Sequence, residues 1–435
     1  MPDYNITLPQ ELAYDQVLPV LPSGAVTLDQ FLPPVNGSVF STTTQGTQII
    51  FDLPARGMLI PSSLYLRYTY TVVNSATSLA SVILGTPAYA PIQRVETTFG
   101  AVVSEQINNY NQTMNAVVNL TYNVSQKYGV QNMLGYGNNT STPGLDALDG
   151  RFCTSSEVGT FACPLWSLLA NAEKYVPLGM MPATRITLTL DRLSNFFLQN
   201  GLPTTVLEVP SSFNLSNVEL CYSMIDFGEG VNNTIRGFGD KLLIKSQSIT
   251  NSSNTISLAS TGYQEIVFNQ RLASIKALFL LFPTTSSNSL NGLFDSVDIS
   301  RGGSYSFNVG GRYLPQKPID AGLNKCAVYM ELKKAIGSAA NSSNFSINSV
   351  EFNRTSASTT TVIEPGKFIV GVNTETLQGS HSVLLSGTST QNTPIGVRMN
   401  IVTATASTSS AVTLLSLYDA IIEVNPHEKS CVVRQ

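Results

Sequence analysis

Ser63-Leu64-Tyr65-Leu66-Arg67-Tyr68-Thr69-Tyr70-Thr71-Val72-Val73 is dominated by aromatic and β-branched side chains, the residues that fit a pleated, half-buried surface. It reads as a β-strand, and the same reading extends outward. Upstream, from about Thr47, the residues Ile49, Phe51 and Leu53 alternate with polar or small positions, the two-residue period of a strand with one buried face. Downstream, residues 92–99, 184–191 and 218–227 carry similar patterns. One stretch interrupts them: in residues 105–120, Ile107, Tyr110, Met114, Val117 and Val118 recur at helical spacing and predict a helix.

After Gly228 and Gly230 a similar order begins again, from about residue 236. Strands are predicted over residues 241–248, 264–268, 275–282 and 304–309. A helix is predicted over residues 320–336, with Asp320 as N-cap, Cys326, Val328, Met330, Leu332 and Ile336 as its apolar face, and Gly337 as its stop. Strands return over residues 360–372, 382–385, 395–404 and 414–424. The halves close alike, on Leu220-Cys221-Tyr222-Ser223-Met224-Ile225-Asp226 and on Leu415-Ser416-Leu417-Tyr418-Asp419-Ala420-Ile421-Ile422-Glu423, which points to a tandem repeat. The expected fold is all-β: two jelly-roll β-sandwiches in tandem, each with one inserted helix. Residues 1–42 read as an N-terminal arm, 43–232 as the first jelly roll, 233–425 as the second and 426–435 as a polar C-terminal tail. The apolar spots of the arm, Leu18-Pro19-Val20-Leu21 and Phe31-Leu32, suit a segment that ties subunits together.

Composition narrows the function. Among 435 residues only 12% are charged, about half the ~25% of an average soluble domain, while 43% are hydrophobic. So sparse a charge suits a surface covered by neighbouring subunits. The net charge is −4 and no Lys/Arg run occurs, so the basic stripe of a nucleic-acid binder is missing. The start, Met1-Pro2-Asp3-Tyr4, has neither the basic region nor the apolar core of a signal peptide. The densest apolar run, Ala277-Leu278-Phe279-Leu280-Leu281-Phe282, ends at Pro283 and is strand-length. The five cysteines, Cys153, Cys163, Cys221, Cys326 and Cys431, are an odd number without CxxC spacing and read as reduced, buried apolar residues, although Cys153 and Cys163 could bridge a hairpin.

Catalytic and metal-binding candidates are few. The two histidines, His381 and His427, fall in different elements and read as solvated imidazoles. Asp226-Phe227-Gly228 repeats a kinase tripeptide without its companion motifs and reads as a strand end and turn. Gly237-Phe238-Gly239 lacks the third glycine of a dinucleotide loop. Asp146 and Asp149 could pair, or hold calcium with Asn138 and Asn139, but a polar loop is the simpler reading. No catalytic residue, cofactor site or metal site is therefore assigned. The exposed side of the 320–336 helix, with Lys325, Glu331 and Lys334, either caps its own sandwich or contacts a neighbour.

Several stretches, taken together, resemble the double jelly-roll major capsid proteins of eukaryotic DNA viruses, especially those of polinton-like viruses and virophages. They are Glu105-Gln106-Ile107-Asn108-Asn109-Tyr110; Pro164-Leu165-Trp166 through Lys174-Tyr175-Val176-Pro177-Leu178 to Ile186; Asn217-Val218-Glu219-Leu220; Tyr313-Leu314-Pro315 with Glu331-Leu332-Lys333-Lys334-Ala335; and Tyr418-Asp419-Ala420. The resemblance is one of order and spacing over about residues 45–425. It implies a non-enzymatic coat protein located in the virion, forming a homotrimer whose six sandwiches make a pseudo-hexagonal block that tiles an icosahedral shell. It also implies a single jelly-roll penton protein at the fivefold vertices and minor capsid or cement proteins as partners. It leaves open whether a membrane lies inside the shell. Residues 124–158 are then the candidate exterior loop. The competing readings are a secreted or surface β-sandwich lectin or adhesin, and a β-rich hydrolase.

Overall fold

A computed structural model describes residues 25–43, 46–73, 80–136, 150–153, 156–200, 210–237, 239–283, 294–337, 346–353, 366–376, 385–404 and 409–435. The tyrosine-rich stretch behaves as its alternation requires. Leu66, Tyr68, Tyr70 and Val72 are buried, and Arg67 and Val73 face outward. The elements around it are β1 (Val26–Leu32), β2 (Val39–Ser41), β3 (Gln48–Leu53), β4 (Met58–Leu59), β5 (Tyr65–Val73), β6 (Ala80–Leu84), β7 (Ile92–Phe99) and β8 (Val102–Ile107). Helices α1 (Tyr110–Thr121), α2 (Val124–Gly129) and α3 (Gln131–Leu134) follow. Then come β9 (Gly150–Cys153), β10 (Ser156–Pro164), β11 (Thr184–Leu190), α4 (Leu193–Phe196), β12 (Phe197–Asn200), β13 (Ser212–Asp226) and α5 (Gly228–Arg236).

Two antiparallel sheets form the first sandwich. One runs β1-β13-β5-β10, with β2 and β4 also on β13, and the other runs β3-β11-β7-β8. With β1, β3, β5, β7, β8, β10, β11 and β13 taken as strands one to eight, the orders are first-eighth-third-sixth and second-seventh-fourth-fifth. This is jelly-roll winding. Tyr70 is central to the core, stacked on Phe161 at 4.5 Å and on Phe213 at 5.8 Å between ring centroids. A further small sheet, β12-β6-β9, flanks the sandwich.

The second half repeats the plan. Its strands are β14 (Leu242–Ser257), β15 (Gly262–Phe268), β16 (Ile275–Leu281), β17 (Ser304–Val309), β18 (Arg312–Asp320), β19 (Ile369–Asn373), β20 (Ile395–Ile401), β21 (Ser409–Asn425) and β22 (Ser430–Arg434), with helices α6 (Lys325–Ala335) and α7 (Ser349–Asn353) between β18 and β19. The sheets run β14-β21-β16-β19, with β22 added on β21, and β15-β20-β17-β18. Strands β14 to β21 therefore pair in the same two orders as the eight strands of the first half. The chain is a double jelly roll. Strand β16 is buried at every position except Lys276 because its sheet is covered on both faces, by its partner sheet and by α6. This is why it reads as a continuous apolar run rather than an alternation.

Several expectations are corrected. The arm expected over 1–42 is not free from Val26 onward: β1 pairs with residues 220–226 and β2 with residues 214–216 of β13. Its weak alternation is that of an edge strand with little buried surface. Residues 1–24, including Leu18 to Leu21, lie outside the described residues. The polar tail turns at residues 426–429 and returns as β22, antiparallel to β21. The helix predicted from residue 105 begins at Tyr110, and Glu105 to Ile107 belong to β8. The second helix starts at Lys325 rather than Asp320. Asp320 instead ends β18 and accepts hydrogen bonds from Gly322 N (2.8 Å) and Leu323 N (3.0 Å). Gly228 and Gly230 belong to α5 rather than to a plain turn. Within the expected exterior loop, the described parts of residues 124–158 are α2, α3, β9 and the start of β10. The strand predicted over 382–385 and the first part of that over 360–372 fall largely outside the described residues.

Candidate assembly surfaces and the seam between the sandwiches

The two sandwiches are joined along a buried seam built from stretches distant in the chain. At its centre lies Glu105 on β8. Its carboxylate accepts hydrogen bonds from Thr97 Oγ1 (3.0 Å), from the Leu168 backbone N–H (2.9 Å) and from Ser248 Oγ of the second sandwich. The side chain is fully enclosed, and burial pushes its pKa above the ordinary carboxylate value, opposed by the hydrogen bonds from Ser248, Leu168 and Thr97.

Many of the other contacts run along β14. Its outer edge would be an open template for pairing, but residues 164–174 cover it. Glu173 N donates to Lys245 O (2.9 Å), Asn171 Nδ2 to Gln247 O (3.1 Å), and Ser246 Oγ to Leu168 O (2.6 Å). Asn251 Nδ2 donates to Thr113 Oγ1 (2.9 Å) and also to Asn108 O. Ser346 donates through its N–H (3.3 Å) and hydroxyl (2.9 Å) to Asn119 O. Gln435, just beyond β22, reaches back to Ser104 O at 2.5 Å. Tyr110 fixes the covering loop from below, its hydroxyl oxygen accepting from Trp166 N at 2.8 Å. Asp419 is buried beside the seam and accepts from Gln247 Nε2 (3.2 Å) and Ser274 Oγ (3.3 Å). The stretches at residues 105–110, 164–178 and 418–420 thus meet in space.

A pH prediction follows from Glu105. A carboxyl whose folded pKa lies above its unfolded value contributes stability that is fully present below the unfolded value and lost as pH rises through the folded one. The Tm difference between the parent and Glu105→Gln is therefore expected to shift in the parent's favour as pH falls from neutrality toward 4.5, the ordinary value. The amide cannot titrate. Parallel Tm–pH curves for the two proteins would remove this assignment.

The seam was missed as such because Glu105 was read as helical. The signal available was a carboxylate two residues before the apolar Ile107, on the same face of a strand, within a β-rich context. A further buried carboxylate, Asp298, was also missed. It accepts from Ser300 N (3.1 Å), Ser300 Oγ (2.7 Å), Gly302 N (3.0 Å) and Tyr305 Oη, and so organises the turn before β17. The Asp298-Ile299-Ser300-Arg301-Gly302-Gly303 run carries the composition of an Asx turn.

The catalytic and metal candidates do not gather. His427 is exposed in the β21–β22 turn, where its N–H donates to Asn425 Oδ1 at 3.1 Å. Asp226 ends β13 and accepts from Gly228 N at 3.0 Å. Gly237 follows α5, and Phe238 lies outside the described residues. His381, Asp146, Asp149, Asn138 and Asn139 also lie outside them. Among the described residues no group of three or more His, Cys, Asp or Glu side chains is placed to hold a metal ion, and no helix is long and apolar enough to cross a membrane. All five cysteines are free. Cys153 and Cys163 stand on strands of different sheets, β9 and β10, which removes the hairpin bridge. Cys326 is exposed on α6 and Cys431 only half-buried on β22, against the expectation that every thiol is buried.

No protein-family model and no curated protein sequence matches the chain; the likeness lies in the backbone. The Faustovirus major capsid protein superposes with a TM-score of 0.62 at 9% identity, over 95% of this chain and 92% of that one. The capsid of PBCV-1 virus, in a quasi-atomic model, gives 0.60 at 13% identity, over 94% and 97%. The mavirus major capsid protein gives 0.53 at 9% identity, over 100% and 96%. Each likeness spans nearly the whole of both chains, so the shared fold is the complete tandem of two jelly rolls.

Proposed function

We propose that this chain is the major capsid protein of an icosahedral DNA virus, a structural rather than catalytic protein that resides in the virion shell. The observation that carries the reading is the seam. Two sandwiches of identical strand order are locked into one block by buried hydrogen bonds centred on Glu105. A rigid two-sandwich block is what threefold repetition needs to make a pseudo-hexagonal tile, and repeated use of one surface under closed symmetry makes a finite shell. The low charge, with 12% of residues charged, fits a surface that neighbouring copies cover. The solved structures that share the fold support the reading, since they are two major capsid proteins and a virus capsid. The partners of this reading are other copies of the chain, first in a homotrimer and then between trimers. A single jelly-roll penton protein at the fivefold vertices and minor capsid or cement proteins complete the shell. The described parts of residues 124–158, α2 and α3 among them, lie toward the exterior in this reading.

The purified protein is expected to scatter light as a particle of three times the 46.7 kDa chain mass and to show hexagonal outlines, or closed shells, in negative stain. A stable monomer with no tendency to assemble at high concentration would move the reading to a binding module.

A further inference from the structure

Helices α1 and α6 occupy the same slot in the two halves, each following the fifth strand of its sandwich. Their surroundings differ. In α1 every residue except Asn115 and Thr121 is buried, because the helix lies between the two sandwiches. Its stripe Gln112, Asn115, Ala116 and Asn119 faces Leu281 and Ile369 of the second sandwich across a gap of about 20 Å³. In α6 only Val328, Leu332, Lys333 and Ala335 are buried. Its other side is open and carries apolar side chains beside Lys325 and the Glu331–Lys334 pair: Met330 is 44% exposed, Val350 on the adjoining α7 is 68% exposed, and Leu323 just before the helix is 84% exposed. Between α6 and α7 runs a groove of about 200 Å³ lined by Cys326, Tyr329, Met330 and Phe352.

The repeat also supplies the complementary surface. Leu281 and Ile369, where α1 seats, are paired residues at the end of the third strand and the start of the sixth. In the first sandwich those strands are β5 and β10. Val73 ends β5, and Val158, near the start of β10, pairs with Thr71. Val73 is 40% and Val158 67% exposed on the outward face of that sheet. The partner of Val73 is Ser156, and Val158 stands two residues further along β10 on the same face, so the first sandwich presents two apolar side chains beside the place corresponding to the one that, on the second sandwich, is covered by α1 and by α6 over Gly371.

We infer that the open side of α6 and α7 seats on the Val73–Val158 face of a second copy of this chain, so that α6 does between chains what α1 does within one. The contact joins two different surfaces, the heterologous kind that closes into a ring when the rotation permits, and a ring of three copies uses every such surface. It continues around the ring the sandwich-to-sandwich packing already present at the seam. The inference rests on the homotrimer reading and assigns the surface that holds the trimer together.

The test compares the parent chain, Met330→Asp/Val350→Asp, Val158→Asp and a control, Val267→Asp, whose site on β15 is 53% exposed and belongs to neither surface. Circular dichroism verifies folding, and light scattering gives mass. A threefold loss of mass is expected for the α6–α7 variant and for Val158→Asp, with the control unchanged. A second readout needs no variant: Cys326 in the assembled parent is expected to react with maleimide at least tenfold more slowly than in the parent diluted to monomer. Folded variants that keep the trimer mass, or equal Cys326 rates in trimer and monomer, would overturn this contact while leaving the trimer reading in place. A parent that is monomeric at every concentration overturns the trimer reading, and this contact with it.

Discussion

Replacing Glu105 by alanine is expected to uncouple the two jelly rolls. The carboxylate is the common acceptor for one backbone N–H, that of Leu168, and two hydroxyls, of Thr97 and Ser248. Its removal orphans three buried donors at a cost of about 1–3 kcal/mol each when no water replaces the acceptor. Two terms reduce the sum. The hydroxyls can rotate toward other acceptors, and the substitution also removes the desolvation cost that raises the Glu105 pKa. The Leu168 N–H cannot turn, so a net loss of about 3–5 kcal/mol is expected, a large share of the stability of a typical domain. The Ser248 bond joins the halves directly and the Leu168 bond holds the stretch that covers β14, so the loss falls mainly on the seam, while the Thr97 bond lies within the first sandwich. Calorimetry is therefore expected to resolve two unfolding transitions in Glu105→Ala where the parent gives one, and the variant is expected to assemble poorly even below its first transition. Glu105→Gln keeps an acceptor for Leu168 N and is expected to stay within about 1.5 kcal/mol of the parent at neutral pH, the scale of one net hydrogen bond. A single transition in Glu105→Ala with a Tm unchanged within error would show that Glu105 does not join the sandwiches.

The same residue marks where reading the sequence succeeds and where it stops. Alternation exposes strands whose two faces differ, such as β5 and β7, and β11 and β17, buried on both faces, also lie within the ranges read for them. It also exposes the tandem plan, because β13 and β21 close their halves with matching runs. It fails at edge strands: β1 and β22 bury little and so carry little pattern. Local spacing likewise misplaced the first helix, since Ile107 on a strand and Tyr110 on a helix happen to stand at helical separation. The seam was legible only in part. Its segments were picked out by resemblance, but Glu105 finds its partners 63 and 143 residues away, and no local period encodes such a meeting. The Val73–Val158 face escaped notice for the opposite reason. Its side chains are ordinary strand valines, and their exposure becomes visible only when the second sandwich shows the corresponding place occupied.

Gly303→Ala is expected to disable the second sandwich outright. Gly303 stands at the entrance to β17, where the end of β20 passes directly beneath it. An added Cβ would overlap the Asn400 carbonyl oxygen and lie 2.8 Å from its carbonyl carbon. Neither backbone is free to yield. Gly303 N donates to Ser300 Oγ at 3.0 Å, and Gly303 O accepts from Ala321 N at 3.0 Å. Ser300 is in turn held by Asp298 at 2.7 Å and accepts at its own carbonyl from Val402 N at 3.2 Å. Relief of the overlap must pull β17 from β20 or break this turn, so a cost above about 4 kcal/mol is expected, in the range reserved for severe packing faults. The informative comparison is Gly230→Ala in α5, where an added Cβ meets nothing within 4 Å and alanine is favoured over glycine by up to about 1 kcal/mol inside a helix. Limited proteolysis is expected to degrade residues 242–425 of Gly303→Ala first while the first sandwich persists as a resistant fragment, and Gly230→Ala is expected to match or exceed the parent. The resistant fragment carries the deeper consequence: if it survives, each sandwich has its own core, and the seam at Glu105 rather than a shared interior is what makes two jelly rolls behave as one tile. Simultaneous loss of both halves would instead mean that the first sandwich depends on the second to fold, and the block would have to be treated as a single cooperative unit.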